Sequence, residues 1–323
     1  MKKLVSIAIL LVVAFSTFSQ TNSFYKPGDT LYYLNNRATY LKTNTLVIIK
    51  EANVAKNTNT FRVEKHLLDT DSNTYVLDSK FITNGLQQLR SNGVYKSYHK
   101  NGNIASEGET INGKKSEGIW TYYYENGKKK SEEKLSNDSF FRDQKINLVM
   151  SFWDDKGNQT VKNGNGFAQF LSEKDGLFRK GSFKGGLKNG TWTAFKNKTK
   201  VFEETYKKGK LVKGTSWNDK GESFDYKEVY VEAYYKKQNS GSVEKYVDKN
   251  FNSNTAGVIG NIYATFTVTK EGNVTNVEVI RGLTQDYNSE VTKVLSEMTG
   301  WTPAKKRGQS LESSSSLNLN FKG

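Results

Sequence analysis

The sequence predicts a mainly β protein with an α+β C-terminal domain: an extended sheet of hairpin repeats, then a small antiparallel sheet packed on two helices. Three observations carry that expectation. Aromatic residues make up 13% of a chain only 35% hydrophobic, so large rings must supply the burial that aliphatic side chains do not. Glycine-led aromatic segments recur with a period in the twenties. Over the last stretch of about 80 residues the pattern changes to helix, strand, hairpin, strand, helix, strand.

The first element is an address. Lys2 and Lys3 precede an apolar run over 4–15, followed by Ser16-Thr17-Phe18-Ser19-Gln20. That order is the one of a secretory signal, and the run is shorter than the roughly 20 residues a spanning helix needs. Cleavage after Ser19 is expected, which makes the protein periplasmic or envelope-associated; left uncleaved, the segment would anchor it to the inner membrane. The net charge of +15 would by itself suggest nucleic acid. Export turns the expected anionic partner into an envelope polyanion instead, with no nucleic acid. The absence of Cys excludes disulfides, thiolate metal sites and a Cys nucleophile.

Residues 20–88 read as a β-rich lead-in. Leu46-Val47-Ile48-Ile49, Phe61-Arg62-Val63 and Thr74-Tyr75-Val76-Leu77 are short strands, with Asp69-Thr70-Asp71-Ser72-Asn73 as a turn.

Residues 89–226 are the repeats. Gly93, Gly118, Gly166, Gly190 and Gly214 each open an aromatic segment such as Gly118-Ile119-Trp120-Thr121-Tyr122-Tyr123-Tyr124, with a degenerate unit around 140–157. Each of these glycines is expected where a backbone or ring comes close. Asn101-Gly102, Asn112-Gly113, Asn126-Gly127 and Asn189-Gly190 are expected as turns, with the two φ > 0 positions of type I′. The polar return strand Lys128-Lys129-Lys130-Ser131-Glu132-Glu133-Lys134 cannot bury both faces. A row of hairpins with an aromatic stripe and a charged face follows.

Residues 227–323 form the last domain. Val243, Tyr246, Val247 and Phe251 share a helical face. Ile262, Ala264, Phe266 and Val268 alternate in a strand, Lys270-Glu271-Gly272-Asn273 turns, and 274–281 returns. Residues 286–298 form an amphipathic helix through Val291, Val294, Leu295 and Met298, and Leu317, Leu319 and Phe321 alternate in a final strand.

Two resemblances are carried by these motifs. Tyr98-His99-Lys100-Asn101-Gly102-Asn103, Asn112-Gly113-Lys114-Lys115-Ser116-Glu117-Gly118-Ile119-Trp120 and Tyr123-Tyr124-Glu125-Asn126-Gly127-Lys128 resemble the MORN-repeat variant of YwqK-family antitoxin proteins, over about 89–221. This implies an architecture rather than an activity. Gly260-Asn261-Ile262-Tyr263-Ala264-Thr265-Phe266-Thr267-Val268, Glu271-Gly272-Asn273-Val274-Thr275-Asn276-Val277, Trp301-Thr302-Pro303-Ala304, Arg307-Gly308 and Leu317-Asn318-Leu319-Asn320-Phe321 resemble the TonB C-terminal domain family, over about 240–323. That resemblance implies transmembrane transport: the last sheet edge would pair with a short extended segment of an outer-membrane transporter. An edge guarded only at its ends would also suit a second copy of the chain. Asn252-Ser253-Asn254-Thr255 stands where the family usually has Tyr-Pro, and only two Pro in the chain leave no proline-rich spacer.

The candidate edge is Ser315, Ser316, Leu317, Asn318, Leu319, Asn320 and Phe321. Ser313-Ser314-Ser315-Ser316 offers small side chains, and Glu312 and Lys322 stand only at the ends. Two His without Cys make a metal site unexpected. Glu132-Glu133, Asp154-Asp155 and Glu203-Glu204 are neighbours on strands, so they point to opposite faces and read as solvated charge. Trp120, Tyr122, Tyr124, Trp192 and Trp217 read first as packing between repeats, and otherwise as a glycan-binding stripe. Arg281 and Arg307 are expected at the surface, Trp301 and Phe321 in the core. No enzyme and no cofactor are expected.

Overall fold

The computed structural model describes residues 25–52, 54, 59–137, 145–172, 174–235, 243–252 and 258–322. The expected export segment with Lys2, Lys3 and Ser19 lies outside them, as does 138–144 of the expected degenerate unit. The protein is mainly β, its strands pair antiparallel, and the described residues hold two helices. No described helix is long and apolar enough to cross a membrane. The chain divides into two compact units, 1–168 with 183–187 and 169–182 with 188–323.

The first unit begins with strands β1 (Thr30–Leu34), β2 (Arg37–Thr39), β3 (Thr45–Ala52), β4 (Phe61–Asp69) and β5 (Thr74–Thr83). Alternation puts Val47, Ile49 and Val63 on one face, and they are buried with Tyr33, Phe61, Phe81, Leu86 and Leu89 in one core. The Tyr33 hydroxyl donates to the Leu86 carbonyl at 2.5 Å, closing that core. Strands β6 (Ser91–Tyr98), β7 (Ile104–Ile111), β8 (Lys114–Lys115), β9 (Gly118–Tyr123), β10 (Lys129–Asn137), β11 (Lys145–Trp153) and β12 (Gln159–Lys162) follow. β5 pairs with β6 in antiparallel register, Phe81 opposite Tyr95, so the lead-in continues into the first repeat.

The hairpins use two turn chemistries. Asn112 and Gly113 lie at φ 51° and 76°, and Asn163 and Gly164 at 50° and 75°, as type I′ requires. The turns at Asn101-Gly102 and Asn126-Gly127 differ from expectation. Only the glycine has positive φ there, and the bonds Gly102 N–H to His99 O and His99 N–H to Asn103 O mark a three-residue turn closed by a glycine bulge. Asn189-Gly190 is no turn at all, because it lies inside a strand.

The aromatic packing bears out the glycine reading in part. Gly93, Gly118 and Gly190 have positive φ and nothing close to where a Cβ would stand, whereas a Cβ on Gly166 would meet the Thr160 carbonyl at 2.1 Å and one on Gly214 the Tyr226 ring at 2.4 Å. Two further ring seats lie elsewhere: a Cβ on Gly108 of β7 would stand 2.5 Å from the Trp120 ring, and one on Gly181 would stand 2.3 Å from Trp192. Each indole thus lies flat on a glycine of a neighbouring strand. Phe81, Tyr95 and Trp120 continue as a ladder of rings 5.8 and 6.1 Å apart.

Burial raises the phenol of Tyr122 to about 12, and likewise Tyr124. Tyr123 is pushed up to about 12 by burial and by donating to Glu107. The folded state favours the neutral phenol, so this stabilisation is complete below about pH 10, the unfolded tyrosine value. It is lost as pH rises towards 12. An ultraviolet titration should therefore show these tyrosines ionising together with loss of sheet circular dichroism. Full ionisation of every tyrosine near pH 10 with the sheet intact would contradict this packing.

The second unit contains strands β13 (Asn165–Leu171) and β14 (Phe178–Lys184) in part, then β15 (Leu187–Lys196), β16 (Thr199–Lys207), β17 (Lys210–Trp217) and β18 (Ser223–Tyr226). β15 to β18 pair in order, each antiparallel. Short strands β19 (Tyr230–Val231) and β20 (Tyr234–Tyr235) lead to helix α1 (Val243–Asn250). Then come β21 (Ile259–Val268), β22 (Val274–Arg281), helix α2 (Gln285–Ser296), β23 (Trp301–Thr302), β24 (Ala304–Lys306), β25 (Gln309–Leu311) and β26 (Ser313–Lys322). Thr284 caps α2, its side chain accepting from the Tyr287 N–H at 3.3 Å. One core holds Val247, Ile262, Ala264, Phe266, Val268, Tyr287, Val291, Val294, Leu295, Met298 and Leu319, with Trp301, Leu317 and Phe321 half-buried against it.

Candidate partner-binding edge

Strands β22, β21 and β26 form a three-stranded sheet in that order, so β26 is an edge. It pairs with β21 over ten consecutive residues without a bulge, from Val268 opposite Ser313 to Ile259 opposite Lys322. Side chains alternate along it. Ser313, Ser315, Leu317, Leu319 and Phe321 turn inward, while Ser314, Ser316, Asn318 and Asn320 are exposed. Phe321 is clamped between Phe251 and Tyr287, its ring 4.9 and 5.2 Å from theirs.

The direction of the free backbone groups follows from the β21–β22 turn. Thr269 N–H donates to Asn273 O and Thr269 O accepts from Gly272 N–H, so Thr269 faces β22 with both groups. Backbone direction alternates along a strand, so Thr267 and Thr265 face β22 as well, whereas Val268, Phe266, Ala264 and Ile262 face β26. Their partners Ser313, Ser315, Leu317 and Leu319 spend their backbone groups on β21. The outward N–H and C=O groups belong to Ser314, Ser316, Asn318 and Asn320. Of the seven residues singled out in the sequence, Ser316, Asn318 and Asn320 therefore present the edge. Ser315, Leu317, Leu319 and Phe321 hold it to the core.

The opposite edge is built differently. β22 carries a bulge at Asn276, which sits at φ 51°, and exposes Glu278 and Arg281. Bulges and charge are how sheets keep foreign strands away. β26 has no bulge, and its one charged residue, Lys322, stands at its end.

Two charged residues depart from expectation. Glu203 is partly exposed and pairs with Lys200 at 3.3 Å, but its neighbour Glu204 is only 1% exposed. Strand alternation sends the two to opposite faces, and the inner one is not solvated. Its carboxylate accepts from the hydroxyls of Tyr206 and Tyr226 and from Arg307 Nε, all at 2.8 Å. Arg307, expected at the surface, is thereby half-buried. Nothing in the local sequence signals this pair, whose members are far apart in the chain; the sole trace is an Arg in the left-handed first position of the Arg307-Gly308 turn, at φ 52°.

The remaining candidates stay apart. The His66 ring stands 3.8 Å from Glu64, and the His99 ring meets the Tyr123 carbonyl at 3.0 Å. Among the described residues no group of three or more His, Asp or Glu could hold a metal. Trp120 and Trp192 are each 1% exposed, so neither offers a ring face to a sugar. Tyr124 is half-buried and donates to the Trp153 carbonyl at 2.8 Å. No family model matches the sequence, and no curated protein matches it.

Proposed function

We propose that this chain is an exported, non-enzymatic binding protein of the cell envelope. In this reading the hairpin repeats are a scaffold, and the C-terminal module, a small sheet packed on two helices, is the binder. It takes an extended segment of an outer-membrane transporter as a fourth strand on β26, as the TonB-like resemblance implies. The observation that supports this is the edge itself: four outward-facing backbone positions carrying only Ser and Asn, in a strand held by Leu317, Leu319 and Phe321. Backbone bonds would supply the affinity and the alternate side chains the selectivity.

The edge makes two proline substitutions unequal. Asn318→Pro removes an outward donor and none of the bonds to β21, so the domain should fold while partner capture falls by about tenfold or more. Ser315→Pro removes a donor to β21 and should lower the melting temperature of the domain. Photocrosslinking from position 316 in envelope vesicles reads the occupant. Crosslinks to a transporter segment support the proposal, and crosslinks to the same strand of a second copy replace the transporter with a dimer. Asn318→Pro without effect on any crosslink removes the edge as a site.

A second reading, an envelope polyanion as partner, has one observation in its favour. The β16–β17 turn exposes Lys207, Lys208 and Lys210 around Gly209. Binding of this kind would weaken steeply with salt, which strand pairing would not. The glycan reading of the aromatic stripe is disfavoured by the burial of Trp120 and Trp192.

A further inference from the structure

Repeat arrays bury each unit against the next, so the last unit needs something to close its face. In the second unit the repeat device is a ring on a glycine. Trp192 lies on Gly181, with the Lys188 ammonium 4.7 Å from its centroid and 4.7 Å from that of Tyr206. Tyr226 lies on Gly214 in the same way, where a Cβ would stand 2.4 Å from the ring. This final hairpin has no further repeat beyond it in the chain. The β24–β25 hairpin reaches it instead.

The contact is extensive and directional. Arg307 stands 3.8 Å over the buried Phe202 ring and gives its Nε to Glu204, the carboxylate that also receives Tyr206 and Tyr226. Its carbonyl accepts from Ser216 Oγ at 2.7 Å, and Gln309 Nε2 donates to the same Oγ at 2.7 Å. Gly308 presses on the backbone of Phe224 and Asp225, where a Cβ would come within 3.0 Å of the Asp225 carbonyl. Behind the hairpin, Arg307 N–H donates to Val229 O, and β19 pairs with β24 through Tyr230 opposite Lys306. Arg at a left-handed position is a local cost that Asn or Gly would avoid. The guanidinium explains why it is there.

We infer that the β24–β25 hairpin is the terminal cap of the repeat array, with Arg307 as its key, so that the last repeats and the C-terminal module fold as one cooperative body. This goes beyond the binding proposal and does not depend on what β26 binds. It also means that a chain cut near 226 or 240 leaves Glu204 and Phe202 uncapped, so such a truncation disturbs the array as well as removing β26.

Hydrogen exchange on the full chain tests it with Arg307→Ala and Arg307→Asn. Asn is at home in the left-handed turn but has no guanidinium. Under the cap assignment both variants speed exchange in residues 202–217, in the array, by about tenfold or more. If Arg307→Asn leaves 202–217 as protected as in the parent chain, the Arg serves only its own turn and the assignment falls. If either variant does not fold, the parent chain decides in rising denaturant: residues 202–217 and 304–311 should lose protection together. Opening of 304–311 well before 202–217 would overturn the cap.

Discussion

Gly181→Ala is expected to destabilise the protein by about 2–3 kcal/mol, although alanine ordinarily suits a strand better than glycine. The backbone at 181 is not left-handed, so conformation is not the obstacle. The obstacle is the Trp192 ring, 2.3 Å from the new Cβ. That ring cannot slide away freely, because its Nε1 donates to the Ser182 carbonyl at 3.0 Å and it is 1% exposed. Trp192→Ala alone should cost about 3–5 kcal/mol through the cavity it leaves. In that background Gly181→Ala should become neutral or stabilising by up to about 1 kcal/mol, since the methyl enters vacated space and stiffens the unfolded chain. Urea unfolding of the four proteins measures the cycle. A Gly181→Ala penalty that persists without Trp192 would refute the ring-on-glycine seat.

Glu204→Ala should cost about 3–4 kcal/mol, the larger part from what it leaves behind. Three donors lose their acceptor together: the hydroxyls of Tyr206 and Tyr226, and Arg307, whose side chain is 20% exposed and keeps its charge. Glu204→Gln keeps the shape and one carbonyl acceptor, and should cost about 1–2 kcal/mol. Glu203→Ala, on the other face of the same strand, should fall within about 0.5 kcal/mol of the parent. Chemical denaturation separates the three. Equal small effects at 203 and 204 would return both carboxylates to solvent and undo the buried cluster.

The contrast between these neighbours shows what could be read from residues alone. Periodicity is local, so the alternation of β21, the amphipathic α2 over Val291, Val294 and Leu295, and the Asn112-Gly113 type I′ turn were all legible. So was the inward set of Leu317, Leu319 and Phe321, because side-chain period and strand identity determine it without knowledge of the partner strand. The lead-in strands were read at Leu46, Phe61 and Thr74, shorter than they are, since pairing extends a strand beyond its hydrophobic centre.

Other features depend on which strand lies beside which. Glycine spacing pointed to the glycines that open each aromatic segment, and of these only Gly214 seats a ring; the seats of Trp120 and Trp192 are Gly108 and Gly181, chosen by the neighbour across the ladder. Asn101-Gly102 and Asn112-Gly113 are identical dipeptides with different turns, because strand register sets the loop length. The outward direction of Ser316 and Asn318 follows only from the turn that aims Thr269 at β22. The pairing of Glu204 with Arg307 needs the β24–β25 hairpin brought onto the last repeat. Composition and period thus determined the β character, the repeats and the facing of each strand, because those are properties of consecutive residues. Tertiary structure alone decided the ring seats at Gly108 and Gly181, the outward direction of the edge's backbone groups and the buried ion pair, because each is a relation between segments that the chain keeps apart.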